Sequence, residues 1–153
     1  MSAQRALVLG AAGQLGRACM DCAPELVVAE GFSRVTCDVT DDAALRRVID
    51  EVDPQIVINA AAYTAVDAAE DDPESADAVN ANAPAILGAL CARRDLRLVH
   101  ISTDFVFDGR AHRPYVPAAD PIPLGIYGAS KWRGEQAVFA SGASHAVVRT
   151  SWV

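Results

Sequence analysis

Ala6-Leu-Val-Leu-Gly-Ala-Ala-Gly-Gln-Leu-Gly16 joins a short apolar run to a glycine-rich turn and to the first residues of a helical pattern. The glycines Gly10, Gly13 and Gly16 have the spacing G-x-x-G-x-x-G. Glycine permits a tight turn and a close approach of the backbone to a pyrophosphate, whose charge the N–H groups of a helix N-terminus bind. Turns and close helix packing also use glycine, but a strand before the motif and a helix after it favour a dinucleotide site.

Apolar runs alternate with helical patterns along the rest of the chain. These runs are continuous, which is typical of parallel strands that are covered on both faces. We therefore predict a doubly wound, Rossmann-type α/β fold with a parallel sheet. The predicted strands lie at about 6–9, 26–30, 34–37, 56–58, 96–101 and 146–148. The predicted helices lie at about 14–22, 41–52 with Thr40 as N-cap, 73–93 with a kink or break at Pro84, and 127–139, and 104–125 is predicted to be loop.

Composition limits the classes of function. The 153 residues are 52% hydrophobic with a formal net charge of −7, which fits one domain of ordinary size. No Lys or Arg occurs between Arg47 and Arg93, so the clustered positive charge of a nucleic-acid groove is missing. No apolar run approaches the roughly 20 residues of a membrane span, and the N-terminus lacks a signal-peptide pattern. We expect a cytoplasmic domain with neither a nucleic-acid nor a membrane partner.

The four cysteines and three histidines do not form a metal-binding pattern. Cys19-Met-Asp-Cys22 is formally C-x-x-C, but it lies at the C-terminal end of a predicted helix, where the helix dipole does not lower a thiol pKa. A zinc site would lack its second pair of ligands. We expect ordinary helix and core cysteines and no metal site.

Tyr127-Gly-Ala-Ser-Lys131 places a phenol and an ammonium on one face of a predicted helix. A phenol with a pKa near ~10 is a poor acid–base catalyst at neutral pH unless a nearby ammonium stabilises its phenolate. Surface Tyr–Lys pairs are common, but Lys131 is the only lysine in the chain, against twelve arginines. The pair is therefore a candidate catalytic pair.

Ser102 and Thr103 follow the predicted strand 96–101. Ligands of open α/β sheets bind beyond the carboxyl ends of the strands, where these hydroxyls would lie. Alone, such residues form ordinary ST-turns. Beside a glycine turn and a Tyr-x-x-x-Lys helix, they become candidate site residues.

In combination, these motifs resemble the extended short-chain dehydrogenase/reductases. Within that superfamily the chain resembles the dTDP-4-dehydrorhamnose reductase family, in blocks that spread over essentially its whole length. The blocks are Asn59-Ala-Ala-Ala-Tyr-Thr-Ala-Val-Asp67, Ser102-Thr-Asp-Phe-Val-Phe-Asp-Gly109, Pro123-Leu-Gly-Ile-Tyr-Gly-Ala-Ser-Lys131 and Arg149-Thr-Ser-Trp-Val153.

The resemblance implies an NAD(P)H-dependent reductase. It would transfer hydride to the C4 ketone of dTDP-4-dehydro-L-rhamnose and give dTDP-L-rhamnose, a precursor of cell-surface polysaccharides. By this resemblance, Tyr127 is the proton donor, and Lys131 lowers the pKa of Tyr127 and holds the nicotinamide ribose. Thr103 hydrogen-bonds the sugar oxygen, with Asp104 beside it. Trp152 matches a substrate-contacting residue, although an aromatic side chain that covers the sheet edge is an alternative role.

The resemblance also assigns the cofactor cleft. Its residues are Gly10, Gly13, Gln14, Leu15 and Gly16 at the pyrophosphate, Asp38 and Val39 at the adenine, and Ala61, Ala62 and Tyr63 along the cleft. Glu30 ends the second predicted strand, where a carboxylate binds the ribose 2′-OH of NADH. Arg34, which follows Ser33, instead suits the 2′-phosphate of NADPH. We expect both cofactors to be used, with a slight preference for NADPH.

Members of the family are roughly twice as long as this chain. Their second half supplies the nucleotide-sugar pocket, further strands and, in some members, a Mg²⁺-linked dimer interface. We therefore interpret residues 1–153 as the NAD(P)-binding domain, without the C-terminal substrate domain and inactive alone, so that Mg²⁺ or a homodimer would involve only the second half. Two alternatives stay open. One is a non-catalytic regulatory subunit resembling the methionine adenosyltransferase β-subunit, and the other is a nucleotide-sugar epimerase or dehydratase. A dehydratase is expected to carry a pair of carboxylates just after the strand-end hydroxyl, whereas here Asp104 is followed by Phe105, which argues against a dehydratase.

Overall fold

The computed structural model describes residues 3–152, which form a five-stranded parallel sheet with flanking helices. The strands are β1 (Gln4–Leu9), β2 (Val27–Phe32), β3 (Ile56–Asn59), β4 (Arg97–Thr103) and β5 (Ser144–Thr150). The helices are α1 (Gln14–Asp21), α2 (Asp42–Val52), α3 (Val66–Asp71), α4 (Pro73–Asp77), α5 (Ala83–Arg93) and α6 (Ile126–Ala140). A π-helical turn, Ala78–Asn82, joins α4 to α5, and a 3₁₀ turn, Asp104–Val106, follows β4.

The strand order is β2-β1-β3-β4-β5, and all neighbouring strands are parallel. The predicted doubly wound sheet is thus confirmed. The chain passes from β1 to β2 on one side and returns to β3 on the other, so the strand order reverses between β1 and β3. Open α/β sheets bind ligands in the crevice at such a reversal, beyond the carboxyl ends of the strands. Gly10 follows β1 and Ala60 follows β3, so the glycine turn borders this crevice.

The core packs the central strands against α2 and α5. Leu7 and Leu9 of β1 are fully buried. On α2 the buried residues Leu45, Val48 and Ile49 have helical spacing, so that one face of the helix covers the sheet. Two of the four free cysteines are buried and two are at least partly exposed. No helix within residues 3–152 is long and apolar enough to cross a membrane.

The strand predicted at 34–37 is wrong. Residues 34–36 form a turn, in which the N–H groups of Thr36 and Cys37 donate to the Ser33 carbonyl at 3.1 and 2.8 Å. Because these bonds are local, the segment does not pair with β2, and Val35 is 95% exposed. Val35 and Thr36 are β-branched, a residue type that favours strands, but local turn chemistry overrides that preference here.

The N-cap predicted for α2 is wrong by one residue. Asp41 caps the helix, since its Oδ1 accepts a hydrogen bond from the Ala43 N–H at 2.9 Å. Thr40 instead donates its hydroxyl to Asp38 Oδ1 at 2.7 Å. Both residue types are good caps, and the neighbouring carboxylate at Asp38 decides which one faces the helix.

The kink or break predicted at Pro84 is not found at that residue; the helical segment is instead irregular just before it, where it forms a π-helical turn. Ala78–Asn82 widens the helical segment immediately before α5, where Pro84 occupies the first turn and needs no N–H partner. Helix α6 packs closely on this turn: a Cβ on Gly134 would lie 2.0 Å from the Asn80 carbonyl oxygen. At the other end of α6, a Cβ on Gly128 would lie 2.2 Å from the Phe105 carbonyl oxygen. Helix α3 was not predicted.

Candidate active site

The glycine turn brings β1, α1 and the end of β3 together. Gly10 has φ +79°, and a Cβ there would lie 2.6 Å from the Ala61 nitrogen. A Cβ on Gly16 would lie 2.2 Å from the Gly10 carbonyl oxygen, so α1 touches the turn directly. Gly13 caps α1 without a side-chain hydrogen bond, which leaves the first N–H groups of the helix without a capping side chain. The turn has the geometry that binds phosphate at a helix N-terminus.

A cavity of about 430 Å³ lies beside the glycine turn. It brings together most of the predicted cofactor residues, namely Gly10, Gly13, Arg34, Asp38, Val39, Ala61, Ala62 and Tyr63. Ser33, which was expected beside Arg34, also lines it. Thr40 and Thr64 line it too and were not predicted as site residues. Glu30 pairs in register with Leu7 inside the sheet, and it does not line the cavity. The turn that replaces the predicted strand 34–37 therefore brings Ser33 and Arg34, and not Glu30, to the cavity.

Asp38 supplies a carboxylate at the edge of this cavity. Its Oδ1 accepts hydrogen bonds from the Thr40 N–H at 2.9 Å and from the Thr40 hydroxyl at 2.7 Å. These bonds hold the pKa of Asp38 below its ordinary value, and the bond from the Thr40 backbone has the largest effect. The carboxylate is therefore ionised at neutral pH.

A second cavity, of about 640 Å³, contains the Tyr–Lys pair. Its predicted residues are Gly13, Gln14, Leu15, Ala62, Thr103, Asp104, Tyr127, Lys131 and Trp152. Because Gly13, Ala60, Ala62 and Thr64 line both cavities, the two form adjoining halves of one cleft. Gly16 lines neither half, and it supports the glycine turn through its close contact with the Gly10 carbonyl. Trp152 is fully exposed at the rim, with φ +59°.

Lys131 is buried behind the second half of the cleft. It is 2% exposed, and its Nζ donates to the Ile101 carbonyl at 2.7 Å. Burial lowers the pKa of Lys131 to about 8, and the Glu135 carboxylate partly opposes this effect. The ammonium is thus mostly charged at neutral pH.

Tyr127 faces the same half of the cleft. Burial raises the pKa of Tyr127; the hydrogen bond with Thr103 lowers it, and the negative charge of Asp104 raises it further. The net direction is upward because burial has the largest effect, and the expected lowering by Lys131 stays a prediction. The Tyr127 ring meets the Phe105 ring edge-on, with centroids 5.5 Å apart.

Thr103 both caps a turn and faces the cleft. Its Oγ1 accepts from the Phe105 N–H at 3.2 Å and donates to Asp104 Oδ1 at 3.3 Å. The ordinary ST-turn is therefore present, and the same hydroxyl lies beside Tyr127 at the carboxyl end of β4.

Asn80 is a site-supporting residue that the sequence analysis missed. Its Oδ1 accepts from the Tyr63 N–H at 2.9 Å, and its Nδ2 donates to the Tyr63 carbonyl at 3.0 Å and to Ser130 Oγ at 3.0 Å. One buried amide thus ties the loop after β3 to the helix that carries Tyr127 and Lys131. The sequence did not single it out, because Asn82 lies two residues later in the same helical segment.

Comparisons with known proteins converge on one family. The sequence model of the RmlD substrate binding domain matches residues 4–153. A dTDP-4-dehydrorhamnose reductase of Mycolicibacterium smegmatis is 47% identical over 156 residues, covering 99% of this chain and 46% of that protein. A dTDP-4-keto-6-deoxy-D-glucose reductase of Streptomyces niveus is 42% identical over 153 residues, covering 97% of this chain and 52% of that protein. The chain spans about half the length of the curated relatives it matches.

A solved structure agrees with the sequence relatives. The dTDP-4-dehydrorhamnose reductase of Bacillus anthracis str. Ames, in complex with NADP, superposes with a TM-score of 0.94 at 36% identity. The match covers 98% of this chain and 54% of that one. The fold and the family therefore agree over nearly the whole chain.

Proposed function

The chain belongs to the RmlD substrate binding domain family, and on that premise we propose that it is the dinucleotide-binding half of a dTDP-4-dehydrorhamnose reductase. The full-length protein would transfer hydride from NAD(P)H to the C4 ketone of dTDP-4-dehydro-L-rhamnose and form dTDP-L-rhamnose. One observation carries this proposal: Tyr127, Lys131 and Thr103 line the cleft that continues to the glycine turn.

The cleft fits a nicotinamide dinucleotide. Only glycine fits at position 10, against the Ala60–Ala61 backbone, and at position 16, against the Gly10 carbonyl. The resulting turn presents N–H groups to a pyrophosphate. The adenosine would lie in the half lined by Asp38 and Val39, with the nicotinamide beside Lys131. When bound, the cofactor would supply the hydride.

Tyr127 would donate the proton that the reduced ketone oxygen takes up. Because burial raises the pKa of Tyr127, its phenol is protonated at neutral pH, which is the form that ketone reduction consumes. Thr103 would hydrogen-bond the same sugar oxygen. Lys131, charged below pH of about 8, would stabilise the phenolate that remains.

The preference for NADPH is a proposal that the cavity lining supports. Ser33 and Arg34 line the adenosine half, where a guanidinium and a hydroxyl would bind a 2′-phosphate, whereas Glu30 lies outside it. We infer that NADPH is preferred modestly and that NADH is also used. A preference of more than about a hundredfold for either cofactor, roughly 2.7 kcal/mol, would contradict dual use.

We also propose the partners and the location that such a reductase needs. The substrate is a dTDP-sugar, to which Asp104 and the exposed Trp152 would contribute from this half. A homodimer, with Mg²⁺ or without it, would form through the second half. The protein would act in the cytoplasm, where dinucleotide cofactors are available, without nucleic-acid or membrane partners.

Two measurements on the full-length protein test the function. Cofactor fluorescence titration should show NADPH binding, and NADPH should be consumed when dTDP-4-dehydrorhamnose is added. Cofactor binding without turnover would favour the non-catalytic regulatory subunit. Conversion of a nucleotide sugar without net NADPH consumption would favour an epimerase or dehydratase.

A further inference from the structure

A buried ion pair lies directly behind the site, and neither of its residues has a direct role in the proposed chemistry, although the Glu135 carboxylate raises the pKa of Lys131. Glu135 of α6 and Arg149 of β5 form a two-pronged contact, with Nε to Oε1 at 2.9 Å and Nη2 to Oε2 at 2.6 Å. The Glu135 side chain is completely buried and that of Arg149 is 17% exposed. The other ion pairs of the described residues are much more exposed, with every partner at least 37% accessible.

The Glu135–Arg149 ion pair lies near the carboxyl end of the β4–β5 ladder. Ser102 and Arg149 are opposite each other in the ladder, and Ser102 Oγ also donates to Glu135 Oε1. The next pair is Thr103 with Thr150, and both line the Tyr127 half of the cleft. Ser102 lines this half of the cleft as well, so the ion pair holds the ladder at the residues that directly precede Thr103 and Thr150.

Arg149 also holds the segment that follows the 3₁₀ turn. Its Nη1 donates to the Pro117 carbonyl at 3.1 Å, and its guanidinium lies 4.9 Å from the centroid of the Phe107 ring. A second aromatic ring, that of Trp132 on α6, lies 5.9 Å from the guanidinium. A planar guanidinium with five donors can make all these contacts at once, which an ammonium cannot. One side chain therefore connects α6, β5 and the segment from Phe107 to Pro117.

Stability alone is a weak reason for such an arrangement. Burying two charges has a desolvation cost that often cancels their attraction, and apolar replacements of such pairs are often neutral. What an apolar pair would lose is the directional contact to Ser102 and Pro117. An apolar replacement could thus preserve the packing of the Glu135–Arg149 pair, but it would lose the hydrogen bonds that position Ser102 and the Pro117 segment.

We infer that Arg149, held by Glu135, is a positioning residue that sets the substrate wall of the cleft, formed by Thr150–Trp152 and by Asp104 with Phe105. This inference rests on the proposed function, because the wall would contact the dTDP-sugar. It places neither residue in contact with the cofactor or the reacting atoms. Its loss should therefore change the affinity for the sugar more than cofactor binding or the chemical step.

The test compares full-length variants with neutralised pairs. In Glu135→Gln combined with Arg149→Met, both charges disappear together, so no unpaired buried charge remains. We expect the KM for dTDP-4-dehydrorhamnose to rise about tenfold or more, because ground-state and transition-state binding are lost together. The kcat is compared in Arg149→Lys, which keeps the Glu135 carboxylate that raises the pKa of Lys131, and there it should change less than about threefold. The Kd of NADPH should stay within about twofold.

Two further variants keep the inference testable. Arg149→Lys keeps the charge and so should preserve folding even if the double variant does not, but it loses the fork and should raise the KM about threefold or more. Asp77→Asn with Arg133→Met is the matched control, because that exposed ion pair joins α4 to the same helix α6. The control should leave the KM unchanged.

The outcomes separate the inference from the function on which it rests. An unchanged sugar KM in folded variants, with wild-type turnover intact, would overturn the positioning role and leave the function standing. If the KM for the sugar and the Kd of NADPH rise by similar factors, the Glu135–Arg149 pair only stabilises the fold in general, and the positioning role is overturned. Absence of turnover in the wild-type protein, with NADPH still bound, would overturn the proposed function and the inference together.

Discussion

The ammonium of Lys131 is hydrogen-bonded to the backbone of β4, through the Ile101 carbonyl at 2.7 Å. Ile101 lies two residues before Thr103, so the only lysine of the chain is fixed against the strand that presents the candidate hydroxyl. The positive charge is therefore positioned by the sheet itself. Tyr127, one helical turn earlier on α6, lines the same half of the cleft as Lys131.

Replacing Tyr127 with Phe should abolish most reductase activity of the full-length protein while leaving cofactor binding intact. The change removes the phenolic proton donor and keeps the aromatic ring that packs on Phe105. General acid catalysis of this kind contributes about 10²–10⁴-fold, and we expect kcat to fall by that factor. Steady-state kinetics and NADPH titration measure the two effects. Turnover within tenfold of the wild type would remove Tyr127 from the proposed role.

Arg34→Ala should reduce the use of NADPH selectively. The guanidinium lines the adenosine half of the cleft, where it would meet a 2′-phosphate. We expect kcat/KM with NADPH to fall about tenfold, roughly 1.4 kcal/mol, while kcat/KM with NADH stays within about twofold. Arg46→Ala is the control, because Arg46 pairs with Asp42 on α2 and does not line the cleft. Equal losses for both cofactors would contradict recognition of the 2′-phosphate by Arg34.

Gly16→Ala should destabilise the protein even though alanine favours helices. The new Cβ would lie 2.2 Å from the Gly10 carbonyl oxygen, so the glycine turn or α1 must move. Overpacking of this kind costs about 1–3 kcal/mol, which urea denaturation would detect. Gly13→Ala is the matched variant, because its Cβ would lie 3.3 Å from the same oxygen. Equal unfolding free energies for the two variants would show that α1 moves without cost.

Stability should fall in acid through His100. Burial, followed by the charge of Lys131, lowers the pKa of His100 to about 3, from 6.5 in the unfolded chain. Between these values the unfolded state binds a proton that the folded state does not, so stability decreases as pH falls from 6.5 towards 3. His100→Leu should remove up to about 1.4 kcal/mol per pH unit of this dependence.

Urea denaturation at several pH values would measure this contribution. Between pH 7 and 8, the wild type and His100→Leu should show parallel pH dependences, because the imidazole is neutral in both folded and unfolded states there. The two curves should diverge below pH 6.5. Parallel curves down to pH 4 would mean that His100 is protonated in the folded protein.

Residues 1–153 produced alone should bind NAD(P)H weakly, self-associate and show no ketone reduction. The chain has the cofactor cleft, but β5 is an edge strand of the sheet, and Val148 on it is 45% exposed. An unpaired apolar edge favours association with a second copy. Cofactor fluorescence, light scattering and an NADPH-consumption assay would test the three statements. Steady turnover by this fragment would place the substrate site within residues 1–153.

The fold was predictable wherever periodicity and glycine chemistry agreed. The glycine motif between β1 and α1 and the continuous apolar strands were enough for the parallel sheet, since each indicates the same architecture independently. The strand expected at 34–37 does not form, because the N–H groups of Thr36 and Cys37 donate to the nearby Ser33 carbonyl and not to a neighbouring strand. Such competition between local and sheet hydrogen bonds has no signature in periodicity.

The site was predictable where motifs carry chemistry, and less so where contacts support it. Tyr127, Lys131 and Thr103 come from short motifs, and the structure brings them to one cleft. Asn80 and the Glu135–Arg149 pair were missed, because their partners are distant in sequence and meet only in the folded chain. Whether the assigned residues act as proposed stays a prediction for the kinetic experiments.

Helix α6 touches its neighbours at Gly128 and Gly134 through bare backbone, against the carbonyl groups of Phe105 and Asn80. The distance from Tyr127 to the cleft is thus set by peptide groups in contact, which are nearly incompressible, and not by the volumes of interchangeable side chains. A single added methyl group at position 128 or 134 would displace the whole helix.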